Sequence, residues 1–235
     1  MAQTKLALFD IDGTLTQYVG TQRWEDPYIE PLKDIFNVPI EEDLTQYDGT
    51  IARHLGWEIV KKYGVTRQQF EAKFPEYVAK MHKRFLEFER ESDVLFKPIR
   101  EARELLGRLA NKKDVILGIL TGNPERVAHW KLVHTGLDAY FRFGLYGDEA
   151  DNRAQLASFV FEKAKRELGV TLTPNQVIVI GDTVHDIRSG KAIGAVTVGV
   201  TSGEHSPRGA LSLEKPDYLV DSLVDPEILS LFSLR

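Results

Sequence analysis

The 235-residue chain contains no cysteine, which excludes disulfides, thiolate metal sites and a cysteine nucleophile, and suits a reducing compartment. It has no long basic run: 30 lysines and arginines stand against 35 aspartates and glutamates, a formal net charge of −5. The electrostatic footprint of a nucleic-acid partner is therefore missing. No uninterrupted apolar stretch approaches membrane-spanning length, and the N-terminal MAQTKLALFDIDG has too short an apolar run for a signal peptide. The expectation is a cytoplasmic protein with no membrane and no nucleic-acid partner. Repeats and low-complexity segments are absent too, and nothing in the sequence sets an oligomeric state. The hydrophobic content of 43% is ordinary, enough for one large domain or for one domain with a sizeable insertion.

Against that background one stretch organises the chain. Residues Lys5 to Thr16 read KLALFDIDGTLT, an apolar run of strand length that ends in two carboxylates one residue apart. Leu6, Ala7, Leu8 and Phe9 suit a central strand of a parallel sheet covered on both faces. Gly13 breaks it, so Asp10 and Asp12 fall at the carboxyl end of the strand, where open α/β sheets place their ligands. Like charges this close raise one another's pKa unless a cation lies between them. Mg²⁺ meets that need with oxygen ligands and one or two carboxylates beside a substrate phosphate. Asp12-Gly13 also suits a tight turn by itself.

The string Asp10-Ile11-Asp12-Gly13-Thr14 resembles the first signature of the haloacid dehalogenase-like hydrolase superfamily, whose phosphatases carry Asp-X-Asp-Gly-Thr after a buried strand. The resemblance implies a nucleophilic Asp10 and an acid/base Asp12. It also implies a Rossmannoid parallel sheet with helices on both faces, and a helical cap inserted after the first signature that selects substrate. Residues 17–93 fit the cap, leaving 1–16 and 94–235 for the α/β core. Their pattern is helical: Asp26 to Asn37 interrupted at Pro31, Thr50 to Tyr63 ending near Gly64, and a third helix opened by a Thr66/Gln69 capping box. Along the third, Phe70, Phe74, Tyr77, Met81, Phe85 and Phe88 make one face, a pattern that core packing explains, and Pro75 is expected to kink it. A plain entry to a helix is the favoured reading of the loop Gln46 to Thr50, with reach into the site as the alternative.

Downstream, Pro98 is expected to open a helix with Ile99, Ala102, Leu105, Leu106 and Leu109 on its apolar face. The apolar run Val115 to Leu120 then ends in Thr121-Gly122-Asn123 before a helix, an anion-binding arrangement that matches the family's second signature for holding the phosphoryl group. The third signature, a cation, departs from the common Lys-Pro form. Arg153, closest to the expected helix start, is favoured, with Lys131 as the alternative; an Arg grips phosphate bidentately where a Lys acts as a point charge. Val177 to Ile180 leads into Gly181-Asp182-Thr183-Val184-His185-Asp186, matching the fourth signature. Asp182 is expected to ligate Mg²⁺ directly and Asp186 directly or through water, with Asp186 also suited to helix capping. The metal set is thus Asp10, Asp12 through its backbone carbonyl, Asp182 and Asp186.

The layout resembles the phosphoglycolate phosphatase and β-phosphoglucomutase branch. It implies a Mg²⁺-dependent phosphatase acting on a small organic phosphate ester through an aspartyl-phosphate. A phosphomutase is the alternative of like chemistry. A phosphate-accepting receiver domain is the alternative of another class, disfavoured by the inserted helices and by Asp12.

Overall fold

The computed structural model describes residues 4–20, 23–91, 95–202 and 206–234. In chain order the first elements are β1 (Lys5–Phe9), β2 (Thr16–Tyr18), α1 (Asp26–Phe36), α2 (Ala52–Val60), α3 (Arg67–Glu91), β3 (Phe96–Pro98) and α4 (Arg100–Leu109). The chain continues through β4 (Val115–Leu120), α5 (Glu125–Thr135), β5 (Phe143–Leu145), α6 (Arg153–Ser158), α7 (Val160–Leu168), β6 (Val177–Gly181) and α8 (Val184–Ala192). Last come β7 (Val196–Val200), α9 (Arg208–Leu213), β8 (Tyr218–Val220) and α10 (Pro226–Leu231). Six strands form one parallel sheet in the order β5-β4-β1-β6-β7-β8. This is the expected α/β fold, with β1 in the middle between β4 and β6.

The run of β1 is apolar on both sides because both faces of the sheet are covered. Ala7 and Phe9 join Ile178 and Ile180 in a core shared with the Leu105, Leu106 and Leu109 face of α4. Leu6 and Leu8 point the other way, to Val177, Val179 and the Leu156, Val160 and Ala164 stripe of α6 and α7, as the two-residue period of a strand requires. Leu8 is fully buried, and its register partner on β4 is Gly118, where a Cβ would lie 2.9 Å from Leu8 Cδ2. Leu8→Ala is therefore expected to leave a cavity at the centre of the sheet and to cost about 2–5 kcal/mol, read as a lowered urea midpoint.

Between β2 and β3 the chain builds a second, helical layer with its own core. The Phe70 to Phe88 face of α3 packs on Ile29 and Leu32 of α1 and on Leu55 and Ile59 of α2, and Val127 and Trp130 of α5 close the cluster. The capping box of α3 is present: Thr66 N donates to Gln69 Oε1 (2.8 Å) and Gln69 N to Thr66 Oγ1 (3.3 Å). The expected boundary at residues 93 and 94 lies outside the described residues.

Several local expectations are corrected. Helix α1 runs unbroken through Pro31, because buried Ile29, Pro31 and Leu32 are held against the rest of the layer and tertiary packing outweighs one lost hydrogen bond. Pro98 does not open a helix: it ends β3, which pairs antiparallel with β2 (Thr16↔Pro98, Tyr18↔Phe96), and the helix begins at Arg100. This two-stranded ribbon is where the chain leaves the sheet and returns to it. The stretch after Asn152 is two helices, α6 and α7, meeting at Phe159.

Candidate active site

Asp10 follows β1, Thr121 follows β4, and Asp182 follows β6, so three adjacent parallel strands deliver their carboxyl-end residues to one edge of the sheet. Carboxylate oxygens of Asp10, Asp182 and Asp186 lie within 4.8 Å of one another, and all three residues are buried. Gly13 makes this approach possible. Its φ is +78°, and a Cβ there would fall 2.2 Å from Asp182 Oδ2, so the turn between Asp12 and Thr14 admits no side chain. Thr14 Oγ1 donates to Asp182 Oδ1 (2.8 Å), tying the first motif to the fourth.

Asp186 has a double role. Its Oδ2 accepts from Thr183 N (3.0 Å) and Thr183 Oγ1 (2.6 Å), capping α8, while its Oδ1 accepts from Arg153. Arg153 is 5% exposed and spends its guanidinium on the site's walls and carboxylates. Nη1 donates to Gly49 O (2.9 Å), and Nη2 donates to Leu120 O (3.1 Å) and lies 3.1 Å from Asp10 Oδ1. Burial pushes the Asp10 carboxyl up to about 6 against the pull of Arg153, with Asp186 and Asp12 adding to the rise. Three carboxylates against one guanidinium leave excess negative charge among oxygen-only donors, the chemistry that suits a hard divalent cation.

The Asp12 carboxylate is not part of this cluster. Its two oxygens accept from Lys131 Nζ (2.8 Å each), and Oδ2 also accepts from Asn123 Nδ2 (2.7 Å). Lys131 is 2% exposed, with its ammonium 4.8 Å from the Phe96 ring centroid and 5.3 Å from that of Phe85. Burial would lower its pKa, but Asp12 and Tyr28 outweigh burial and hold it above the ordinary lysine value. Arg153 and Lys131, offered by the sequence as alternatives, are thus both at the site. Lys131 serves Asp12, and Arg153 serves Asp10 and Asp186.

Asn123, expected to hold phosphate, has its side chain committed to other groups. Nδ2 donates to Thr121 Oγ1 (2.9 Å) as well as to Asp12, and Oδ1 accepts from Lys131 (3.0 Å) and Tyr28 OH (3.2 Å). Thr121 is fully buried. Gly122 passes so close to the inserted layer that a Cβ would sit 2.1 Å from Thr50 O, and its own carbonyl accepts from Ala52 N (2.9 Å). The loop from Gln46 to Thr50 does reach the site, both here and through Gly49 O. Tyr28, from α1, joins the site with no local signal in the sequence to mark it. An aromatic two positions into a helix gives no sign that its hydroxyl will meet Asn123 and Lys131.

A cavity of about 270 Å³ opens between this edge and the inserted helices, with Asp10, Asp12, Thr121, Lys131 and Arg153 at its floor. Among the described residues no helix is long and apolar enough to cross a membrane.

Comparison with known proteins agrees with this construction. A phosphoglycolate phosphatase of Salmonella paratyphi A is 31% identical over 122 residues, which are 52% of this chain and 46% of that protein. The chain thus spans about half the length of the phosphoglycolate phosphatases it matches. Pyrophosphatase PpaX of Anoxybacillus flavithermus is 28% identical over 219 residues, 93% of each chain. In fold, the crystal structure of a predicted phosphoglycolate phosphatase from Haemophilus somnus superposes over 99% of both chains with a TM-score of 0.67 at 22% identity. The pattern of one family spans residues 4–194, from β1 through the end of α8, and so takes in every element that carries the site; this chain belongs to the haloacid dehalogenase-like hydrolases.

Proposed function

We propose that the chain is a Mg²⁺-dependent phosphatase that hydrolyses a small organic phosphate monoester through an aspartyl-phosphate on Asp10. The observation that carries this reading is the placement of two differently furnished carboxylates with one residue between them: Asp10 in the buried cluster with Asp182 and Asp186, and Asp12 outside it against Lys131. Relatives named as a phosphoglycolate phosphatase and a pyrophosphatase share phosphoryl transfer to water and support the reaction class.

In this reading Asp10 and Asp182 would hold the cation, with Asp186 directly or through water and the Asp12 backbone carbonyl completing the set. When bound it supplies neutralisation of the charge on the phosphoryl oxygens. Asp10 forms the new P–O bond as the bond to the leaving oxygen breaks; Asp12 enters this step as the carboxylic acid, gives its proton to that oxygen and is left as the carboxylate that Lys131 and Asn123 hold. Water then attacks the phosphorus of the aspartyl-phosphate and gives a proton to Asp12, the P–O bond to Asp10 breaks, and inorganic phosphate leaves with the Asp10 carboxylate and the Asp12 acid restored. Lys131 and Asn123 fix the Asp12 carboxylate in one orientation, and the Thr121 hydroxyl and the backbone around Gly122 receive phosphoryl oxygens. Arg153 keeps the Asp10 and Asp186 carboxylates together. We further propose that residues 17–93 act as a cap, since their Gly49, Thr50 and Tyr28 complete the walls of the site.

Turnover of p-nitrophenyl phosphate tests this directly. Activity is expected with Mg²⁺ and is expected to vanish on chelation and return on adding the ion back. Undiminished hydrolysis in excess chelator would overturn the metal-dependent reading.

A further inference from the structure

The wall of the cavity above the catalytic edge differs from what an anionic substrate requires. The inserted segment contributes Trp24, Tyr28 and Tyr47 as half-buried aromatics and Leu44, Leu55 and Phe85 as buried apolar side chains. The rings form a connected set: Trp24 meets Tyr28 edge-on at 6.2 Å, and Tyr28 meets Phe85 at 5.6 Å. Among the described residues lining the cavity the basic side chains are Lys131 and Arg153, and both are already paired, Lys131 with Asp12 and Arg153 with Asp10 and Asp186. Asp48 adds a further acidic group to the lining. A substrate carboxylate or second phosphate buried here would lose its hydration without gaining a cation, which is heavily penalised. An uncharged ring or branched alkyl group would instead bury apolar surface against rings.

Resting on the phosphatase reading, we propose that this chain's substrates are phosphate monoesters of uncharged, predominantly apolar alcohols, with the leaving group seated against Trp24, Tyr28 and Leu55. Esters that carry a second anion are poor substrates. The phosphoryl end is bound by the floor of the cavity, and selectivity arises from the inserted layer. The size of the cavity, at the small end of ligand pockets, suits one ring.

Benzyl phosphate, 2-phosphoglycolate and glucose 6-phosphate are all esters of alkyl alcohols and place the contrast on the leaving group. With Mg²⁺ present, kcat/KM is expected to be at least roughly tenfold higher for benzyl phosphate than for either of the others. Trp24→Lys, which removes a ring and adds a cation to the wall, is expected to shift the ratio of benzyl phosphate to 2-phosphoglycolate toward the latter by roughly tenfold or more. A ratio measured within one preparation is independent of the fraction folded. Higher kcat/KM for 2-phosphoglycolate or glucose 6-phosphate, or a ratio unmoved by Trp24→Lys, overturns the inference and leaves the phosphatase reading standing. If no ester is turned over, the phosphatase reading fails, and binding decides the inference on its own. Titration calorimetry with 2-phenylethylphosphonate and 3-phosphonopropionate is then expected to show tighter binding of the former, and the reverse order overturns the inference.

Discussion

Asp10→Asn is expected to abolish turnover, with kcat for p-nitrophenyl phosphate falling by a factor on the order of 10⁴ or more. An amide nitrogen or oxygen in place of the carboxylate supplies neither the nucleophile nor the anionic ligand. Neighbouring groups offer no substitute: the Asp182 carboxylate accepts from Thr14, and that of Asp186 caps α8 and pairs with Arg153. The fold is expected to persist, because Arg153 keeps its bonds to Gly49 O, Leu120 O and Asp186 and the apolar residues of β1 are untouched. Circular dichroism and a urea transition check this. A correctly folded variant with more than a small percentage of wild-type activity would remove Asp10 from the reaction.

Asp12→Asn is expected to separate the two halves of the reaction. Loss of a positioned general acid and base costs roughly 10²–10⁴ in rate. Nitrophenolate leaves without a proton, so its departure should survive while the later attack of water, which needs Asp12 as base, becomes slow. The expected record is a burst of nitrophenolate approaching one per site, then slow steady turnover, whereas benzyl phosphate shows no burst. Rapid-quench mixing measures both. Equal losses on the two esters without a burst would mean that Asp12 serves the site only by pairing with Lys131.

What the sequence disclosed follows from how local each signal is. β1, β4 and β6 are contiguous apolar runs ending in polar residues, and a parallel sheet buried on both faces makes such runs legible without tertiary information. The motif residues Asp10, Thr121 and Asp182 therefore fell at strand ends in the sequence as they do in the fold. The ribbon of β2 and β3 was missed because three residues per strand carry no periodicity and their pairing spans the whole inserted segment. The sequence ranks Arg153 above Lys131 but gives no sign that both reach the site, since Lys131 lies mid-helix and its inward direction depends on how α5 packs against Phe85 and Phe96. Tyr28 and Gly49 act on the site through contacts 95 and 104 residues distant in sequence, which no local pattern encodes. Conversely, the spacing along α3 predicts a packing face and the face does pack, but Phe85 and Phe88 at its C-terminal half also line the cavity.

The proposed covalent chemistry at Asp10, beneath a cavity roofed by the inserted helices, is what the rest depends on. Quenching the enzyme in acid during turnover, reducing acyl phosphates with borohydride and sequencing the N-terminal peptide reads it out at a single residue. Homoserine at position 10, enriched in Asp12→Asn and missing from Asp10→Asn, is the predicted result. Steady turnover with an unmodified Asp10, or homoserine appearing at Asp182 or Asp186 instead, would contradict it.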